Sequence, residues 1–320
     1  MKVSTHAIKI SVEEMHSIIG IHDVHVNHNF SVNERKVNFS QISDTVQLVQ
    51  AIITIIANLL VFVLIASHAK LRKKLSYQIF MHLQLTHVLL SLLVVVSELF
   101  ASTWHQFYHL VVMGNTVLVE MFISLIVYSA DRLLAINFPL KHKLVTSSHV
   151  ITTLVCSWLL PILFCVLSLS FHIRQLWMTI VMEVMIGSAA CVLAVTNLLV
   201  YVTATKHDRF IRDMNTARSP YSGKMLRTSY VCLAIVSSFL ICWLPYFVHN
   251  ILALLDVYRP QSLKAFTIVA EQLALLNGLL DPVLFVLLAQ DARLAIFDFC
   301  HSRGKNPEKE ERVLRLGNDC

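Results

Sequence analysis

The sequence predicts an all-α membrane protein, a bundle of seven spanning helices followed by a short amphipathic helix, and three observations predict it. Of the 320 residues, 56% are hydrophobic and 14% charged, with a mean hydropathy of +0.66; soluble globular proteins carry about a quarter charged residues. Long stretches lack Asp, Glu, Lys and Arg altogether. The remaining basic residues fall mostly in alternate connections between those stretches. With 7 Gly and 7 Pro the chain is not collagen-like or of low complexity, and its hydrophobicity excludes disorder.

Taken in order, the first span lies between Asp44 and Lys70 and the second between Lys74 and Glu98. The third, about 108–134, contains the isolated acid Glu120. The fourth lies between Lys143 and Arg174, the fifth between Glu183 and Lys206, and the sixth between Arg227 and Asp256. The seventh, about 263–289, contains Glu271 and Asp281. Each charge-free window exceeds the roughly 18 apolar residues that a spanning helix needs. A tail over 1–45, a bundle over 46–289, a juxtamembrane helix over 290–301 and a second tail over 302–320 account for the length.

Orientation follows from the basic residues. Lys70, Arg72, Lys73 and Lys74 follow the first span; Arg132, Lys141 and Lys143 follow the third; six more lie between Lys206 and Arg227, and six between Arg293 and Arg315. The opposite side holds only Lys2, Lys9, Arg35, Lys36, Arg174, Arg259 and Lys264. The positive-inside bias places the N-terminus outside and the C-terminus in the cytoplasm, at the plasma membrane. The net charge of +6 is then a consequence of topology, so no nucleic acid is expected as a partner. Two glycosylation sequons, at Asn29 and Asn38, agree with an external N-terminus. Residues 1–25 hold no apolar run fit for a cleavable signal, so the first span is expected to act as an uncleaved anchor.

Motifs narrow the class. Asn58 sits mid-span in Ile55-Ile56-Ala57-Asn58-Leu59-Leu60-Val61. The third span ends in Ser129-Ala130-Asp131-Arg132-Leu133-Leu134, followed by Pro139-Leu140. The fourth has Trp158 and Pro161, the sixth Phe239 and Cys242-Trp243-Leu244-Pro245, and the seventh Asn277-Gly278-Leu279-Leu280-Asp281-Pro282-Val283-Leu284-Phe285. In this order and spacing the chain resembles the rhodopsin-like (class A) G-protein-coupled receptors over about residues 47–300.

The resemblance implies a receptor, not an enzyme, that binds an extracellular ligand and passes the signal to a heterotrimeric G protein through outward movement of the sixth helix. Arg132 pairs with Asp131 at rest and faces a cytoplasmic cavity when active. Trp243 and Phe239 flank the bend that Pro245 permits, and Tyr201 corresponds to the tyrosine that supports the released arginine. Asn58, Asn277, Asp281 and Pro282 complete the switch. The chain departs from the family at Leu133 and Phe285, where tyrosines are usual, and at His87, where the second helix usually carries an aspartate. His87 and Asp281 are expected to pair across helices 2 and 7. An imidazole is a poor ligand for the sodium ion that the family holds there, so sodium regulation is expected to be lost and His87 protonation to bias the switch.

No cysteine stands at Phe107 or in the loop near 171–175, so no disulfide is expected between the third helix and that loop; this and a fifth helix without proline resemble the melanocortin, cannabinoid, lysophospholipid and adenosine receptors. Cys300 suits palmitoylation. Glu98, Asn115, Glu183, His249, Asn250 and Glu271 are the candidate ligand contacts. Gly114 stands where amine receptors carry an aspartate, which argues against a biogenic amine. The three acids suit a cationic ligand such as a basic peptide, and a lipid is the alternative. The 16 histidines, with His22, His25 and His28 beside Asp23, leave proton or zinc sensing open. A decoy, heteromer partner or constitutively active protein is the rival reading. No cofactor or resident metal is called for; membrane lipids are expected partners, and homo- and hetero-oligomers stay open.

Overall fold

The computed structural model describes residues 33–100, 104–170, 175–213, 220–254 and 264–302, which form helices and tight turns with no strand among them. The helices are α1 (Asn33–Ser67), α2 (Ala69–Arg72), α3 (Leu75–Phe100), α4 (Trp104–Asn137), α5 (Pro139–His142), α6 (Ser147–Ser157), α7 (Leu159–Ser170), α8 (Gln175–Asp213), α9 (Pro220–Leu254), α10 (Lys264–Leu288) and α11 (Gln290–Ser302). Seven stretches are long and apolar enough to cross a membrane: Ser43–Ser67, Leu75–Phe100, Tyr108–Asn137, Ser147–Ser170, Ile180–Arg209, Arg227–Leu252 and Phe266–Leu288. They are numbered here as spans one to seven.

Span 3 is the axis of the bundle. It packs against spans 2, 4, 5 and 6, and span 7 closes the ring onto span 1. Accordingly 56% of its apolar window is buried, against 17% for span 4 at the edge. The interior is filled by Phe80, Phe122, Tyr128, Phe239 and Phe285, all fully buried. The outside is equally apolar: Leu60, Val184, Leu198, Ile241 and Leu287 are exposed. Such a surface is stable facing lipid, where apolar exposure carries no hydrophobic penalty.

Two boundaries differ from the sequence expectation. Helix α1 starts at Asn33, well before residue 46, because nothing between Asn33 and Ser67 is Gly or Pro; the rise in hydropathy marks the span, not the helix. Span 4 is broken at Trp158 into α6 and α7. Pro161 lacks the N–H that would bond the carbonyl of Ser157, and its ring crowds that carbonyl, so the break lies one residue beyond it. The juxtamembrane helix α11 covers Gln290–Ser302. Asn29 lies outside the described residues. Asn38 falls on α1 and Cys300 on α11, and their side chains lie outside them too.

Candidate functional site

The centre of the bundle contains a polar node built on spans 1, 2 and 7. Pro282 cannot donate to the carbonyl of Gly278 four residues back, leaving that oxygen unpaired within its helix. Asn58 supplies the missing bond: its amide donates to Gly278 O at 2.8 Å and to Thr54 O at 2.7 Å. Gly278 permits the approach. A Cβ there would meet Thr54 Cγ2 at 2.7 Å and His87 Nδ1 at 3.4 Å. Beside it, His87 Nε2 lies 2.9 Å from Asp281 Oδ2, with side-chain exposures of 3% and 0%. The expected pairing of these two residues is present in the geometry.

Around this pair, both amide atoms of Asn277 and of Gln84, the second oxygen of Asp281 and the hydroxyl of Thr54 are buried without a hydrogen-bond partner among the described residues. For a sodium ion the departure lies at the acid, not in the number of oxygens. A hard cation takes several oxygen ligands, whereas the one acid here gives an oxygen to an imidazole, which suits transition metals better.

An aromatic cluster lies next to this node. Trp243 is 5.8 Å from Phe239, 5.6 Å from Tyr246 and 6.1 Å from Phe247 between ring centroids. Phe122 of span 3 reaches Phe239 edge-on at 4.8 Å and Phe247 at 5.6 Å. Pro245 lies inside the helix in the midst of these rings. Phe285 stacks on Phe80 at 4.4 Å and meets the edge of Tyr77 at 5.3 Å, so this ring is used for packing.

At the end of the bundle beside α5, Asp131 is shared. Arg132 donates to its Oδ2 through Nε at 3.0 Å and through a terminal nitrogen, while His142 on α5 lies 2.9 Å from Oδ1. Arg132 is buried. Tyr201 is 54% exposed on the outer face of span 5 and is not brought to Arg132. His142 was not legible in the sequence, since its position depends on how the α5 turn folds back.

At the opposite end, Asn250 donates to Glu183 at 2.8 Å, joining spans 5 and 6, and Gln47 donates to Glu271 at 3.2 Å, joining spans 1 and 7. Tyr246 hydrogen-bonds Asn250 and lies within electrostatic reach of both acids. Glu98 is exposed, within reach of Asp44 and Glu271. His249 is buried, 3.4 Å from the Thr267 hydroxyl, and Asn115 is half-buried. The acids are therefore gathered at one end, and the bonds that Glu183 and Glu271 make among the described residues are to amides. Arg174 and Arg259 lie outside the described residues, as does the side chain of Lys264. Tyr246, Gln47, Asp44 and Phe122 belong to the site although no motif marks them.

A family model described as "7 transmembrane receptor (rhodopsin family)" matches residues 165–285, from α7 in span 4 to Phe285 in span 7. That stretch contains Phe239, Trp243, Tyr246 and Phe247 of the aromatic cluster, the Asn277–Pro282 motif, and Glu183 and Glu271.

Proposed function

We propose that the chain is a rhodopsin-family seven-transmembrane receptor, a multi-pass membrane protein that couples a cationic extracellular ligand to a heterotrimeric G protein. The observation that carries this reading is a continuous line of contacts through the bundle. It starts at Glu183, passes through Asn250 and Tyr246, with Glu271 within electrostatic reach of Tyr246, to Trp243 and Phe239, and meets span 3 at Phe122. Span 3 carries Asp131 and Arg132 in its last two turns, before it ends at Asn137.

A positive group held by the acids would exchange an amide partner for a charge-assisted bond, worth about 1.5–3 kcal/mol. The rings of span 6 would then repack over Pro245, where the missing backbone bond lets the helix bend and its cytoplasmic half swing outward. Arg132, released from Asp131, would enter the cavity so opened and receive the G protein. Bundle, tails and juxtamembrane helix divide at about 45, 289 and 301 in this reading. The N-terminus is outside at the plasma membrane, with Asn29 and Asn38 as sugar acceptors and Cys300 as a lipid acceptor. Glu98, Asn115 and His249 complete the ligand site. Asn58, His87, Asn277, Asp281 and Pro282 hold the inner node, and Tyr201 receives Arg132 only after rearrangement.

The test is basal G-protein dissociation, measured across the G-protein classes in cells expressing the chain beside an Arg132→Ala variant at matched surface level. A signal that the variant loses is expected. A signal that Arg132→Ala leaves intact overturns the assignment of the switch.

A further inference from the structure

The bundle holds a second buried acid that the signalling path above does not use. Glu120 on span 3 is fully buried, and its surroundings come from three helices. Ser157 of span 4 donates to Glu120 Oε1 at 2.6 Å, and Ser124, one turn along span 3, donates to the same oxygen at 3.2 Å. Ser124 Oγ lies 3.0 Å from His82 Nδ1 on span 2, and the Trp158 indole donates to His82 Nε2 at 2.9 Å. Glu120 Oε2 is buried without a hydrogen-bond partner among the described residues.

Donor chemistry orients every link. An indole nitrogen only donates, so His82 Nε2 accepts with its lone pair, and the imidazole is neutral with its proton on Nδ1. That N–H donates to Ser124 Oγ, whose own O–H is then directed at Glu120. The chain of bonds runs one way, from Trp158 through His82 and Ser124 to the acid.

We propose that His82 and Glu120 form an internal proton-binding site that holds spans 2, 3 and 4 in one of two arrangements. In the first, described above, a neutral His82 accepts from Trp158 and ties span 2 to span 4. A proton taken from water onto Nε2 removes the lone pair that Trp158 uses, and that tie opens. The new Nε2–H faces Glu120 Oε1, 3.7 Å away, and a neutral bond between spans 2 and 4 is exchanged for a charged pair between spans 2 and 3. Trp158 sits at the break in span 4, where the helix already lacks a backbone bond, so it is placed to move.

The pair is electrically isolated. Span 3 presents Glu120 and the uncharged Ser124, and span 4 presents Ser157 and Trp158, neither of which titrates in this range. Span 1 carries no Asp, Glu, Lys or Arg between Asp44 and Lys70. On span 2 itself, the nearest titratable neighbours along the chain are Tyr77, which bonds Asp291, and His87, which is turned to span 7. The side chain of His82 is 17% exposed and that of Glu120 is 0%, so His82 is the less enclosed of the two.

The experiment follows the emission of Trp158, taken as the difference between the full chain and its Trp158→Phe variant in lipid nanodiscs. The range is between about pH 5 and pH 8, over which a histidine changes charge. A reversible change in the Trp158 signal is expected in the parent. His82→Asn keeps an acceptor for the indole and a donor for Ser124 but cannot titrate, and it should lose the change; His82→Gln serves as a second neutral replacement. Glu120→Gln removes the counter-charge and should lose most of the amplitude. A parent without pH response, or a response that both His82 variants retain, overturns the proposal. The readout needs no G protein, so its failure and that of the coupling assignment are separate outcomes.

Discussion

Span 2 carries two histidines, His82 and His87, and each meets a buried carboxylate from another helix, yet the two pairs respond to a proton in opposite ways. His87 Nε2 lies 2.9 Å from Asp281 with nothing between, and an ionised carboxylate only accepts, so His87 donates through that nitrogen whether or not its other nitrogen is protonated. His82 Nε2 faces a donor, Trp158, and reaches its acid only through Ser124. Protonation leaves the first contact in place and strengthens it; it breaks the second. The identity of the group opposite the ring therefore decides which histidine can act as a switch. Of the two, His82 is the one whose bond must change, whereas the sequence drew attention to His87 alone.

The comparison can be broken from the side of span 7. Gly278→Ala places a methyl 2.7 Å from Thr54 Cγ2 and close to His87, so span 7 must shift and the His87–Asp281 contact lengthen. The expected cost is about 1–3 kcal/mol, the usual range for an overpacked core, read by thermal unfolding in detergent. Thr54→Ser deletes the clashing methyl and should recover most of it. No recovery would mean that another contact limits the approach.

A second test compares the charges directly. Asp281→Asn removes the charge from a direct, fully buried bond and should cost about 2 kcal/mol; Glu120→Gln leaves an acceptor for both serines and should cost about 1 kcal/mol or less. Equal losses would erase the distinction between the nodes. The smallest expected effect is none. Exchanging sodium for potassium should leave basal signalling and thermal stability unchanged, because Asp281 is engaged by an imidazole. Clear stabilisation by sodium would mean that this acid is free to ligate a cation.

Much of the site was legible because its positions coincide with motifs. Asn58, Asp281 and Pro282 fall where the pattern places them, and one physical cause joins two of them: the proline frees a carbonyl that the asparagine binds. Phe122, Tyr246, Gln47, His142 and Ser124 carry no such mark. Each is an ordinary residue for a helix in lipid, and its role arises from neighbours that no motif ties to it, as far as 224 positions away for Gln47. Glu120 stood out as an acid inside a span, but none of its partners could be named from the chain.

What the sequence determined by itself is the set of spans and the asymmetry of their flanking charges, since both follow from transfer of whole segments between water and lipid, a property of local composition. It also determined where helices are weakened, at Pro161, Pro245 and Pro282, because a missing N–H is a local fact. Beyond the His87–Asp281 pair that the motifs already suggested, the tertiary structure decided which polar groups meet. Inside a bilayer interhelical hydrogen bonds join buried polar side chains, and the rotation and depth of seven helices, set by packing around span 3, chose Trp158 for His82 and Ser157 for Glu120.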